Sequence, residues 1–173
     1  PICLPIGKES SFTGIIDLVR MKALMYPAEP TAQYTIEDIP SSLMQEAELH
    51  RQKLIEAVSE TDDTLIEKYL DGVEFTEEIR KGLREGVVTK RFVPVFCGSA
   101  IKNVGSKLLL EGIIDYLPSP LQREAAFAID DKSGEPVDVT AEDKEFSAFV
   151  FKTFADPYAG KLSIFRVYSG KIK

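Results

Sequence analysis

Val93-Pro94-Val95-Phe96-Cys97-Gly98-Ser99-Ala100 is a short apolar run ending in three small residues, with Ile101-Lys102-Asn103-Val104-Gly105 directly behind it. A run of this length, bounded by glycine and followed by helical spacing, predicts a buried strand entering a strand-loop-helix unit. In open α/β sheets, ligands sit beyond the carboxyl ends of strands. Gly98, Ser99 and Ala100 leave the backbone uncovered there, so their N–H groups are presentable to a flat ring or a phosphate. A tight strand-to-helix turn with no ligand is the plainer reading, and the motif alone does not choose between them.

Towards the C-terminus, Asn103 is expected to cap a helix from Val104 to Tyr116, with Leu109, Ile113 and Tyr116 as its inner stripe beside Leu108 and Leu117. Pro118-Ser119-Pro120 forbids continuation of that helix and marks the best domain boundary in the chain. Residues 121 to 144 form a polar tract in which Asp130-Asp131-Lys132-Ser133-Gly134 signals a turn, and the D-x-x-G match at Asp131 to Gly134 is turn chemistry. From Glu145 the pattern is strand again, Phe146 to Phe154 and Leu162 to Tyr168 around a loop at residues 155 to 160. Nearly every position of both strands is apolar, so cover is expected on both faces, and the hairpin needs further strands to complete a sandwich or barrel.

Towards the N-terminus the chain is helical and then β-rich. Thr76 is placed to cap a helix with Ile79, Leu83 and Val87 inward, and Thr61 another with Leu65, Ile66, Tyr69 and Leu70 inward. Ahead of these, Ser42 with Gln45 fits a capping box, and Leu43, Ala47, His50, Leu54 and Val58 make one stripe. His50, the single histidine, has no metal-ligand spacing around it and is read as a core-edge residue. The exposed faces are acidic: residues 37 to 90 hold 14 of the 28 carboxylates against seven lysines or arginines. Glu56, Glu60 and Asp63 are spaced to line one face, either as a solvated surface or as a docking row. The first forty residues offer strands at Pro1 to Gly7, within Phe12 to Tyr26, and at Tyr34-Thr35-Ile36. The chain opens on Pro1 inside an apparent strand, which reads as a piece of a longer protein.

The 173 residues carry 44% hydrophobic and 28% charged side chains with a net charge of −7, an ordinary globular balance that disfavours a nucleic-acid surface and suits a basic protein partner. Cys3 and Cys97 lie in apolar runs and form no CxxC pair, so two buried thiols in a reducing cytosolic setting are expected, neither of them catalytic. No run of 18 apolar residues occurs, and no membrane or DNA contact is expected. A phosphate loop of the form G-x-x-x-x-G-K-[ST] is absent, since Gly105-Ser106-Lys107 has the residue types in the wrong spacing. Asn-Lys-x-Asp is absent too, and no acid–base pair, nucleophile set or metal-ligand spacing emerges. The residues therefore predict no catalysis by this chain.

Gly98-Ser99-Ala100-Ile101-Lys102-Asn103-Val104-Gly105, then Leu108-Leu109 and Asp115-Tyr116-Leu117-Pro118-Ser119-Pro120, resembles the end of the GTPase domain of the bacterial elongation factor G family, the ribosomal translocases among translational GTPases. Asp156-Pro157-Tyr158-Ala159-Gly160-Lys161-Leu162 with Phe165-Arg166-Val167-Tyr168-Ser169-Gly170 resembles the start of that family's second domain, a β-barrel. Gly14-Ile15-Ile16-Asp17-Leu18-Val19 and Glu67-Lys68-Tyr69-Leu70 are similar to the subdomain inserted in the family's GTPase domain.

The resemblance implies an α+β fragment: an inserted subdomain over residues 1–92, the last strand and helix of a P-loop GTPase core over 93–118, a linker with short strands over 119–144, and an incomplete barrel over 145–173. It implies that Gly98, Ser99, Ala100 and Lys102 form a guanine-contact loop, and that Glu56, Glu60 and Asp63 face the ribosomal stalk protein. The parent factor would act in the cytoplasm on the ribosome with GTP or GDP and Mg²⁺, reaching rRNA through other domains. With the phosphate loop, switches and Asn-Lys-x-Asp motif absent, this chain alone is expected to bind no nucleotide tightly and hydrolyse none. A release-factor recycling or ribosome-protection GTPase shares the Gly-Ser-Ala element, and a standalone protein-binding module working through acidic helices is the reading from another class.

Overall fold

Short apolar runs broken by Gly7, Asp17 and Pro27 build the sheet against which the helices of the first unit pack. The computed structural model describes residues 1–60 and 76–172. Strands β1 (Cys3–Ile6), β2 (Gly14–Asp17), β3 (Lys22–Met25) and β4 (Thr35–Glu37) form an antiparallel meander in the order β1-β2-β3-β4. The stretch from Phe12 to Tyr26 is two strands, because Asp17 Oδ1 accepts the Val19 and Arg20 N–H groups at 2.9 and 3.1 Å and folds the chain back at once.

Alternation sends Ile15 and Ile16 to opposite faces, and both are buried. Ile16 joins Leu18, Val19, Leu54, Val58, Ile79 and Leu83 in the larger core, between the sheet and helices α1 (Ser41–Ser59) and α2 (Thr76–Val88). Ile15 joins Cys3, Leu24, Tyr26, Val104 and Leu108 on the other side. Fully burying each such side chain is worth about 1.5–3 kcal/mol, so a sheet covered on both faces anchors this unit. The guanidinium of Arg51 on α1 donates to the Leu18 and Val19 carbonyls at 2.6 and 2.7 Å, tying helix to sheet.

In the first unit, four sequence expectations change. Ser42 caps nothing: α1 starts at Ser41 with Pro40 as its flanking residue and no side-chain cap bond. Asn103 is no cap either; it sits at φ 56° inside a turn, and helix α3 (Ser106–Tyr116) starts from Gly105 at φ 82°. The buried positions of α3 are Leu108, Gly112 and Tyr116, while Leu109, Ile113 and Leu117 are exposed. Gly112 decides this rotation, since the Phe96 ring occupies the space where a β-carbon would stand. Finally, the run at Val93 to Gly98 pairs in no sheet among the described residues. Its backbone meets the N-terminal stretch through two bonds, the Ile2 N–H donating to the Val95 carbonyl at 3.1 Å and the Cys97 N–H donating to the Cys3 sulfur at 3.2 Å, and Val93 is 83% exposed. The helix expected behind Thr61 lies outside the described residues.

The chain divides into two compact units, Pro1–Leu117 and Pro118–Lys173. The second holds two antiparallel hairpins, β5 (Ala126–Ile129) with β6 (Pro136–Val139) and β7 (Ser147–Asp156) with β8 (Gly160–Ser169). Cover on both faces of the long hairpin is not found: Phe149, Val150, Phe151 and Phe154 are all exposed, and no barrel closes among the described residues. The molecule is thus α+β, with three α-helices and small antiparallel sheets among the described residues. No described helix is long and apolar enough to cross a membrane.

Candidate functional site

Two glycines let the chain double back between Cys97 and Ser106. A β-carbon on Gly98 would stand 2.9 Å from the Val104 carbonyl oxygen, and one on Gly105 2.8 Å from that of Cys97, so neither position accepts a side chain without moving backbone. Between them, Ser99 and Val104 exchange both backbone bonds at 2.9 and 3.0 Å, and the Asn103 N–H donates to the Ala100 carbonyl at 3.2 Å. The Ser99 hydroxyl accepts the Lys102 N–H at 3.4 Å. Asn103 takes the left-handed conformation its short polar side chain tolerates.

The result is a pinned six-residue turn at the head of α3. Ala100 and Gly98 are exposed, Ser99 and Lys102 half-buried, and Ile101 is 93% exposed at the tip. Ala100 spends its carbonyl inside the turn, and its N–H has no hydrogen-bond partner among the described residues. The Lys102 ammonium is occupied differently. It donates to the carbonyls of Glu9, Ser10 and Phe12 at 3.3, 3.0 and 3.4 Å, fastening the turn to the loop between β1 and β2.

That carbonyl cradle is a feature sequence reasoning missed. The small polar residues Ser10 and Ser11 indicated a loop but no reason for it to curl, which it does through a single 3-10 turn with Glu9 at φ 51°. Also missed was the closeness of Cys3, whose sulfur lies 3.5 Å from that of Cys97 and accepts the Cys97 N–H at 3.2 Å. The hydrogen bond between the two sulfurs pushes the Cys3 thiol up and holds Cys97 below the ordinary thiol value.

Two members of the acidic row lie among the described residues. Glu56 and Glu60 are exposed at the C-terminal end of α1, where the helix supplies no basic residue in its last turn. Carboxylates there oppose the helix dipole, a cost of a few tenths of a kcal/mol that leaves them available to an outside cation. The Glu60 carbonyl accepts from Arg91 at 3.2 Å. Asp63 lies outside the described residues. Gly98, Ser99, Ala100 and Lys102 share one loop, and no hydrogen bond or ion pair among the described residues joins them to Glu56 or Glu60. His50 is half-buried on α1.

A cavity of about 20 Å³ between Asp17, Arg20, Phe96, Glu111 and Tyr116 has room for a single water. No cluster of three potential metal ligands occurs among the described residues.

No family model matches the chain. A crystal structure of a protein from Thermus thermophilus is similar over 100% of this chain with 31% identity and a TM-score of 0.73. The chain spans 23% of the length of that Thermus chain.

Proposed function

We propose that this chain is a portion of elongation factor G or a close relative among ribosome-associated translational GTPases, and that its Gly98–Lys102 turn forms one wall of the guanine pocket. The observation that carries the reading is the N–H of the exposed residue Ala100, unpartnered among the described residues and held on a pinned turn at a helix start. A donor with that setting suits the guanine carbonyl oxygen, because fixing it beforehand removes the ordering cost of binding. The ordered resemblance of three separated motifs supports the same assignment, and the Thermus similarity shows that such a chain occurs within a longer one. Ser99 shapes the turn, and Lys102 fastens it from behind rather than meeting the base.

Hydrolysis belongs to the longer protein, whose phosphate loop, switches and Mg²⁺ would hold the triphosphate and position water. In it, Glu56 and Glu60 would offer a docking face to the basic end of the ribosomal stalk protein, in the cytoplasm.

The test is made in the longer protein. Ala100→Pro removes the N–H and is expected to weaken GDP binding about tenfold, the worth of one buried hydrogen bond, with the fold intact by circular dichroism. Unchanged GDP affinity overturns the assignment of the turn. A reading frame with no phosphate loop upstream overturns the parentage. For the docking face, Glu56→Lys with Glu60→Lys should slow stalk association at low salt and make no difference at high salt.

A further inference from the structure

We propose that Cys3 and Cys97 are a modification site: under peroxide they close a reversible intramolecular disulfide that tethers β1 to the segment entering the Ser99–Val104 turn. This inference goes beyond the nucleotide reading and stands whether or not that reading holds. It rests on two free thiols, 94 residues apart in sequence, whose sulfurs lie 3.5 Å apart.

A disulfide bond measures about 2.0 Å, so the sulfurs must close by about 1.5 Å. The structure provides that movement on one side. Cys3 sits within the β1–β2 ladder and is 3% exposed. Cys97 lies on the run from Phe92 to Gly98 that pairs in no sheet among the described residues, and Gly98 behind it is exposed. The less restrained partner therefore comes to the fixed one.

Exposure also sets the order of attack. Cys97 is half-buried and Cys3 is buried, so the more accessible member of the pair is oxidised first. The Cys97 thiolate attacks one peroxide oxygen, the O–O bond breaks, and the departing hydroxide takes up the proton that Cys97 gave away, leaving a sulfenic acid and water. The Cys3 sulfur then attacks the Cys97 sulfur, the S–O bond breaks, and the Cys3 proton leaves with the hydroxide as a second water. Two thiols lose two electrons and hydrogen peroxide gains them. A dithiol reductant reverses the step by exchange. Hydrogen bonding between the two sulfurs already favours the thiolate at Cys97, the member that must act first.

The experiment treats the folded 173-residue chain with hydrogen peroxide in slight excess, alkylates what remains, and maps peptides without reduction. The expected result is a peptide pair joined through Cys3 and Cys97, lighter by two hydrogens, with the thiol titre falling from two per chain to none and returning after dithiothreitol. Oxygen adducts on Cys97 with Cys3 still alkylated, or cross-links only between chains, overturn the proposal. Cys3→Ser should leave a sulfenic acid on Cys97 that dimedone traps. As a check needing no variant, the urea-unfolded chain should close the bond at least about tenfold more slowly than the folded one, because the fold holds the sulfurs together. Equal rates overturn the proposal.

Discussion

Ile15 and Ile16 in β2, and Phe149 and Val150 in β7, are neighbouring apolar pairs on antiparallel strands, yet the first pair is 0% and 1% exposed and the second 62% and 52%. The strands differ in what lies over them. Helices α1 and α2 cover one face of the β1–β4 sheet and the Val104 to Leu108 stretch covers the other. The β7–β8 hairpin pairs with no further strand among the described residues, and Phe149, Val150, Phe151 and Phe154 stay exposed. An apolar strand thus records that its faces are meant for burial. It does not record whether the covering layer comes from nearby sequence.

That contrast is most sharply broken by truncation. Leu83→Ala, in the larger core, is expected to cost about 2–5 kcal/mol in urea unfolding of the first unit, while Phe149→Ala shifts nothing by more than about 0.5 kcal/mol. Equal losses would mean that the hairpin is packed after all. Next in size, Gly112→Ala pits two effects against each other. A helix gains about 0.5–1 kcal/mol from alanine in place of glycine, but the new methyl meets the Phe96 ring, and overpacking costs about 1–3 kcal/mol. A net loss that Phe96→Leu relieves is expected from a double-mutant cycle, and a stabilised single variant would contradict the packing of α3.

The two units should also fail at opposite ends of the pH scale. Burial, helped by Asp17 and Asp115, pushes the Tyr116 phenol up to about 12. Its contribution to the first unit is complete below the ordinary phenol value and is lost as pH rises through about 12. In the second unit, the Ala159 and Tyr158 N–H groups hold Asp156 below its ordinary value, and the Ser133 and Lys132 N–H groups with the Ser133 hydroxyl do the same for Asp130. These turns keep their full contribution above about pH 3.8 and lose it as pH falls through the lowered values. The effect is the smallest expected here, because both carboxylates are fully exposed. Carbon-detected titration of the two side chains should find both midpoints below the ordinary range, and ordinary midpoints would dissolve the acid half of the contrast.

Legibility in the sequence followed the range of the interaction that decides each feature. The β1–β4 strands and the α1 stripe through Ala47, Leu54 and Val58 were readable because short apolar runs between turn residues and the helical period set them. The face of α3 was not, since Leu108, Leu109, Leu110, Ile113 and Ile114 satisfy more than one stripe, and only the smallness of Gly112 against a distant Phe96 selects between them. The Ser42 and Asn103 assignments rested on side chains that suit caps and turns alike, and backbone conformation decided otherwise. Within the candidate site, the Gly98-Ser99-Ala100 bend was visible as three small residues. The carbonyl cradle around Lys102 and the nearness of Cys3 were not, because each joins residues some ninety positions apart.

The bond from Ile2 to Val95, with the sulfur contact beside it, has a consequence for the order in which the protein assembles. A nascent chain emerging at about 5–20 residues per second must wait roughly 5–20 s after Cys3 before Cys97 is available. During that interval the Ile2 N–H and the Cys3 sulfur are without the Val95 and Cys97 partners they have in the folded chain. The contacts that fasten the start of the meander therefore become possible only after all four of its strands have been synthesised.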